Sequence, residues 1–82
     1  MKPRLPLAEL PVGSGALVAA IELDRREVEW LRAVGVFEGE RVTVLRRAPF
    51  GGPLHLRTSS GAEFAVDRDL ARSVRVEPEP GA

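Results

Sequence analysis

The chain has 82 residues, with twelve Lys and Arg balanced by twelve Asp and Glu, one histidine and no cysteine. A chain of this size forms one small core and buries only about 60% of its unfolded surface, and disulfides, thiolate metal sites and Cys nucleophiles are all excluded. Neutrality leaves out the basic excess on which nucleic-acid and anionic-membrane binding draw, and no apolar run approaches the ~20 residues of a membrane span.

The opening MKPRLPLAEL carries charges and prolines where a signal peptide needs an unbroken apolar region, so a soluble cytosolic protein is expected. Leu7 to Leu10 offers one helical turn, closed by Pro11 and Gly13, with Leu7, Leu10 and Val12 available to dock on a core. Ala16 to Leu23, ALVAAIEL, is apolar enough for a strand buried on at least one face. The strand runs into DRREVEWLRAVG, which predicts a helix over about residues 25–34. Asp24 is placed to cap it and Glu27 stands at the capping-box position. Trp30, Leu31 and Val34 share one face of that helix, Arg25, Arg26, Glu29 and Arg32 lie opposite, and Gly35 supplies a left-handed end.

Beyond Gly35 the apolar period changes from 3.6 to 2. Val42 and Val44, Leu54 and Leu56, Phe64 and Val66, and Val74 and Val76 each alternate with polar neighbours. Ser59 to Gly61 marks a tight turn, and Asp67 to Ala71 predicts one helical turn. The alternating Pro and Glu of the tail predict a single domain over residues 1–77 and a disordered end over 78–82. About five short antiparallel strands with one inserted helix are too few for an open sheet with protected edges; they predict a mostly β chain folded as a small SH3-like barrel.

The residues assemble no catalytic centre. His55, the only histidine, alternates with Leu54 and Leu56 and so points away from the core side, as a surface residue does. The carboxylates are interleaved with arginines, as in Asp24-Arg25-Arg26-Glu27 and Asp67-Arg68-Asp69, which suits solvated ion pairs and not a metal cage. No catalytic residue, cofactor site or metal site is expected. The stretch RRAPFGGPLHLRT, residues 46–58, has two glycines but no following Lys-Ser/Thr, and it leads into a strand, so it is not a phosphate loop.

Taken in order, these signals resemble the FeoA family. The helix end carries Leu31, Val34, Gly35, Val36 and Gly39 at the family spacing, and the following strand carries Val44, Ala48, Pro49, Phe50, Gly51 and Pro53. Ala71, Val74 and Val76 fit its closing pattern. Glu38 stands where the family often has Pro, Gly52 where Asp is common, and FAVDRD departs from the usual approach to the last helical turn. The resemblance implies an SH3-like barrel that serves bacterial ferrous-iron uptake as a cytosolic accessory of the FeoB-type transporter. The same module is found in DtxR-type metal-dependent regulators.

SH3-like barrels bind partners through the loops between strands, where aromatics and prolines are displayed. Phe37, Arg46, Arg47, Pro49 and Phe50 are therefore the expected partner contacts, with Phe37 and Phe50 each able instead to close an end of the barrel. Two alternatives stand beside this reading: a KOW-like nucleic-acid-binding barrel, suggested by EGERVTVLRR and opposed by the neutral charge, and a free-standing relative of the SH3-like domain of DtxR-type metal-dependent regulators. Self-association through an open edge near Arg75 is a further expectation.

Overall fold

A computed structural model describes residues 3–79. The strands are β1 (Leu5–Pro6), β2 (Gly15–Ile21), β3 (Arg41–Arg47), β4 (Leu54–Thr58), β5 (Glu63–Val66) and β6 (Val74–Pro78). A 3-10 turn at Leu7–Glu9 follows β1, helix α1 (Arg25–Val34) lies between β2 and β3, and the short helix α2 (Arg68–Arg72) precedes β6. All pairings are antiparallel, in the order β1-β6-β2-β3-β4-β5. The strands number six because β1, a two-residue pairing on β6, adds to the five that alternation reveals. No ladder among the described residues joins β1 to β5, so the sheet curls around its core without closing into a barrel.

Two one-residue register shifts help that curl. Between Val18 and Ala20 of β2, and between Val44 and Arg46 of β3, one strand advances two residues while its neighbour advances one. Such bulges bend the strand and strengthen its twist. They also invert the side-chain parity beyond them. In β2 the inward set runs Ala16, Val18 and then Ile21; in β3 it runs Val42, Val44 and then Arg47.

The core is one cluster. Leu7, Leu10, Val18, Leu31, Val36, Val42, Val44, Leu54, Leu56, Val66, Val74 and Val76 are all fully buried. Each such side chain contributes about 1.5–3 kcal/mol of transfer free energy, which is how a chain this small offsets its backbone entropy. The 3-10 turn joins this core through Leu7 and Leu10, as expected, but Val12 stays exposed.

Helix α1 begins as its sequence directs. The Asp24 carboxylate accepts the Glu27 amide at 2.9 Å. It ends at Gly35 (φ +107°), where the Val36 amide donates to the Leu31 carbonyl at 2.8 Å and Gly35 donates to Arg32. These are the paired bonds of a Schellman end. Only Leu31 of the helix is fully buried; Val28 and Val34 are half-buried, and Trp30 is 48% exposed. The apolar face read from the sequence is thus wider than the face that packs. The sheet offers α1 one narrow contact line, and Trp30 falls outside it.

The last strand corrects the reading of the tail. Glu77 and Pro78 pair with Leu17 and Ala16 in the β2–β6 ladder, and the Glu79 amide donates to Gly15 at 3.1 Å. Pro78 takes the terminal position of the strand, where a missing donor costs little. Residues 80–82 of the expected disordered end lie outside the described residues.

Candidate interaction surface

The loop between β3 and β4 is built by its own backbone. The Ala48 amide donates to the Pro53 carbonyl at 3.0 Å and the Gly52 amide to Pro49 at 3.1 Å. Phe50 (φ +58°) and Gly51 (φ +75°) are both left-handed, the pattern of a type I′ turn. Pro49 and Pro53 limit the backbone at either side. At Gly52 a Cβ would stand 2.7 Å from Cβ of Ala48, so a side chain there requires the Ala48 end of the loop to shift. From α2, the Arg68 guanidinium donates to the Ala48 carbonyl at 3.3 Å and braces the loop from beneath.

Phe50 is the one non-glycine described residue with positive φ, and its side chain is fully exposed (104%). An L-residue held left-handed costs roughly 1–2 kcal/mol, and Asn, Asp or Gly would remove most of that cost. Burial returns nothing here. A strained, solvent-facing aromatic on a stiff turn is a feature that folding alone does not call for. The open question of core plug or displayed ring is answered for Phe50: the ring faces outward.

The other expected contact residues separate. Pro49 shares the loop, and Arg46, at the end of β3, is exposed and makes no ion pair among the described residues. Arg47 turns inward after the register shift. Its guanidinium donates through Nη1 to the Ala8 carbonyl and through Nη2 to the Leu10 carbonyl at 2.6 Å. It holds the 3-10 turn against the sheet and is not free for a partner. Phe37 precedes the opposite end of β3, roughly 20 Å away along a seven-residue strand, and is half-buried. The Arg32 guanidinium stands 5.5 Å from its ring centroid. The five residues therefore do not form one patch.

Trp30 is the feature that residue patterning missed. With Arg26, Glu27 and Leu70 of α2 it lines an open hollow of about 290 Å³ whose exposed lining is apolar. The signal in the sequence was present but ambiguous, because Trp30 sits at the edge of the apolar stripe.

His55 faces Glu63 across the β4–β5 ladder, with Nε2 3.7 Å from the carboxylate. Among the described residues no three His, Asp or Glu side chains are grouped to hold a metal ion. Several arginines are taken up in partly exposed ion pairs, Arg4 with Glu77, Arg41 with Glu79, Arg72 with Asp69 and Arg75 with Glu22. Pairs of this kind contribute little to stability, but they neutralise the basic surface. No helix of the described residues is long and apolar enough to cross a membrane.

No curated protein sequence matches significantly. Among solved structures, an iron uptake regulatory protein, FeoA, is 27% identical with a TM-score of 0.86, covering 94% of this chain and 100% of its own. FeoA from Chlorobium tepidum is 28% identical (TM-score 0.84), covering 100% of this chain and 73% of that one. FeoA from Stenotrophomonas maltophilia, solved with zinc and described as a prokaryotic SH3-domain protein, is 29% identical (TM-score 0.69) and covers 87% of each. A manganese-dependent transcriptional repressor shares the fold at 22% identity (TM-score 0.86), with this chain matching 44% of it. The FeoA domain model matches residues 5–78, nearly the whole described chain, and the protein belongs to the FeoA family, with its SH3-like fold.

Proposed function

We propose that this protein is a small non-catalytic accessory of ferrous-iron uptake that works in the cytosol by docking on a FeoB-type transporter. Its relatives carry names in iron uptake regulation and ferrous-iron transport, which supports the pathway. The observation that carries the docking reading is Phe50, fully exposed at positive φ on a turn stiffened by Pro49 and Pro53.

A rigid aromatic knob is a good anchor. It brings a large apolar area to an interface and loses little conformational freedom when it binds. Arg46, near the end of the strand that leads into the loop, is exposed with no ion pair among the described residues, and its positive charge favours an acidic rim on the partner. Pro49 completes the contact, while Arg47 acts by holding the scaffold. Phe37, at the far end of β3, lies outside this contact.

The test is capture by the cytosolic region of the ferrous-iron transporter. The wild-type protein is expected to be co-retained, and Phe50→Asp to reduce capture at least tenfold while leaving the thermal melt intact. Undiminished capture of that variant would sink the docking reading.

A further inference from the structure

We infer that the outer edge of β5 takes up an extended segment of the docking partner as a further strand of the sheet. This rests on the docking reading and specifies the form of what docks.

β5 ends the sheet, and no strand among the described residues pairs with its outer side. Which groups stand open there follows from the ladder on its inner side. The Thr58 amide donates to the Ala62 carbonyl at 2.9 Å, so those two residues form a hydrogen-bonded pair. Such pairs alternate along an antiparallel ladder, which makes Leu56–Phe64 and Leu54–Val66 the next two. The amides and carbonyls of Glu63 and Ala65 therefore point away from β4, and both residues are exposed. Four backbone groups open in a row are the template on which a peptide strand adds. The other end of the sheet offers no such template, because β1 is two residues long and Pro6 lacks an amide hydrogen.

The open edge leads to the Phe50 loop. Val66, at the end of β5, pairs with Leu54, the first residue of β4 after that loop. Just beyond, Asp67 and Arg68 share a hollow of about 320 Å³ with Gly51, Gly52 and Pro53. Arg68 is short of acceptors there. Its guanidinium donates to the Ala48 carbonyl at 3.3 Å, and its Nε is buried with no partner among the described residues. A strand laid on β5 and continued across this hollow brings carbonyl oxygens to the guanidinium and ends against Phe50.

The occupant is a partner segment and not a second copy. β5 carries Glu63, and Asp67 follows it, both exposed. Two copies paired edge to edge would line four carboxylates along one short ladder, and like charges facing across strands are destabilising. A segment with neutral or basic residues facing Glu63 avoids this. An apolar residue on its inner side covers Phe64, which is only half-buried against the core.

Backbone hydrogen exchange reads these amides one by one. In the free protein Glu63 and Ala65 are expected to exchange at nearly unprotected rates, while Phe64 and Val66 are held by β4. Adding the cytosolic region of the ferrous-iron transporter is expected to slow Glu63 and Ala65 at least tenfold and to leave Phe64 and Val66 little changed. Ala65→Pro removes one outward amide from an edge strand, where proline is tolerated, and is expected to cut capture at least tenfold with a cooperative melt retained. Ala65→Val keeps the amide and should keep capture. Should Ala65→Pro fail to fold, exchange in the wild-type chain decides. Capture with Glu63 and Ala65 still unprotected, or undiminished capture of a folded Ala65→Pro, would overturn the added strand and leave docking through Phe50 standing. Absence of capture by the wild-type chain removes both readings. Protection that appears in the free protein as its concentration rises would assign the edge to a second copy and overturn the proposal.

Discussion

Arg47 Nη2 donates to the Leu10 carbonyl at 2.6 Å, and this bond ties the far end of β3 to the N-terminal turn. With the companion bond to Ala8 it satisfies two carbonyls that a short turn leaves without partners. Charge-assisted bonds to partly buried groups contribute about 1.5–3 kcal/mol each, and leaving the acceptors orphaned adds a desolvation cost. Arg47→Ala is therefore expected to lower stability by at least about 3 kcal/mol, read from urea unfolding. Its neighbour Arg46→Ala should change stability by less than about 0.5 kcal/mol, as exposed substitutions do. Equal effects from the two would show that the register shift does not divide their roles.

Phe50 gives stability and binding opposite signs. Phe50→Gly removes left-handed strain at a fully exposed position and is expected to raise stability by about 1 kcal/mol, a gain of roughly 4–8 °C in Tm. The same variant should lose capture of the transporter domain. A destabilised Phe50→Gly protein would mean that the ring contributes to the fold after all.

Gly35 sits where α1 ends against β4. A Cβ there would stand 3.1 Å from Cγ2 of Thr58, at a φ of +107° that L-residues avoid. Gly35→Ala should cost at least ~1 kcal/mol. Thr58→Ser removes the opposing methyl group, so the double variant should recover part of that loss by a double-mutant cycle. Simple additivity would place the whole cost in the backbone.

Metal addition provides a check on the docking reading. Since the described residues hold no group of three metal-ligating side chains, anaerobic Fe²⁺ is expected to leave the Tm unchanged within error. A concentration-dependent rise in Tm would point to a metal role for the protein itself.

Much of the fold was legible because it depends on short-range rules. The Asp24 cap, the Gly35 end and the period-2 strands each follow from the chemistry of a few adjacent residues, and each element stands within a few positions of its expectation. The two-residue β1 was not legible, since a strand that short has no period. The pairing of Glu77 and Pro78 was hidden for another reason: composition describes a residue's preference, but a neighbouring strand can override it.

The candidate site was legible in its residues and not in its layout. Phe37, Arg46, Arg47, Pro49 and Phe50 are close in sequence, but a seven-residue strand carries Phe37 to one end and Phe50 to the other. The division of labour between Arg46 and Arg47 rests on one extra residue at the bulge, which no local pattern announces.

By itself, then, the amino-acid sequence determined the family, the β-rich class and the stiff PFGGP turn, because caps, periods and glycine-proline chemistry act over a few residues. Only the tertiary structure decided that Phe50 faces solvent, that Arg47 serves the scaffold and that Trp30 opens a hollow against Leu70. Those outcomes depend on which surfaces a curled sheet leaves uncovered, and that follows from bulges and from contacts between residues far apart in the chain.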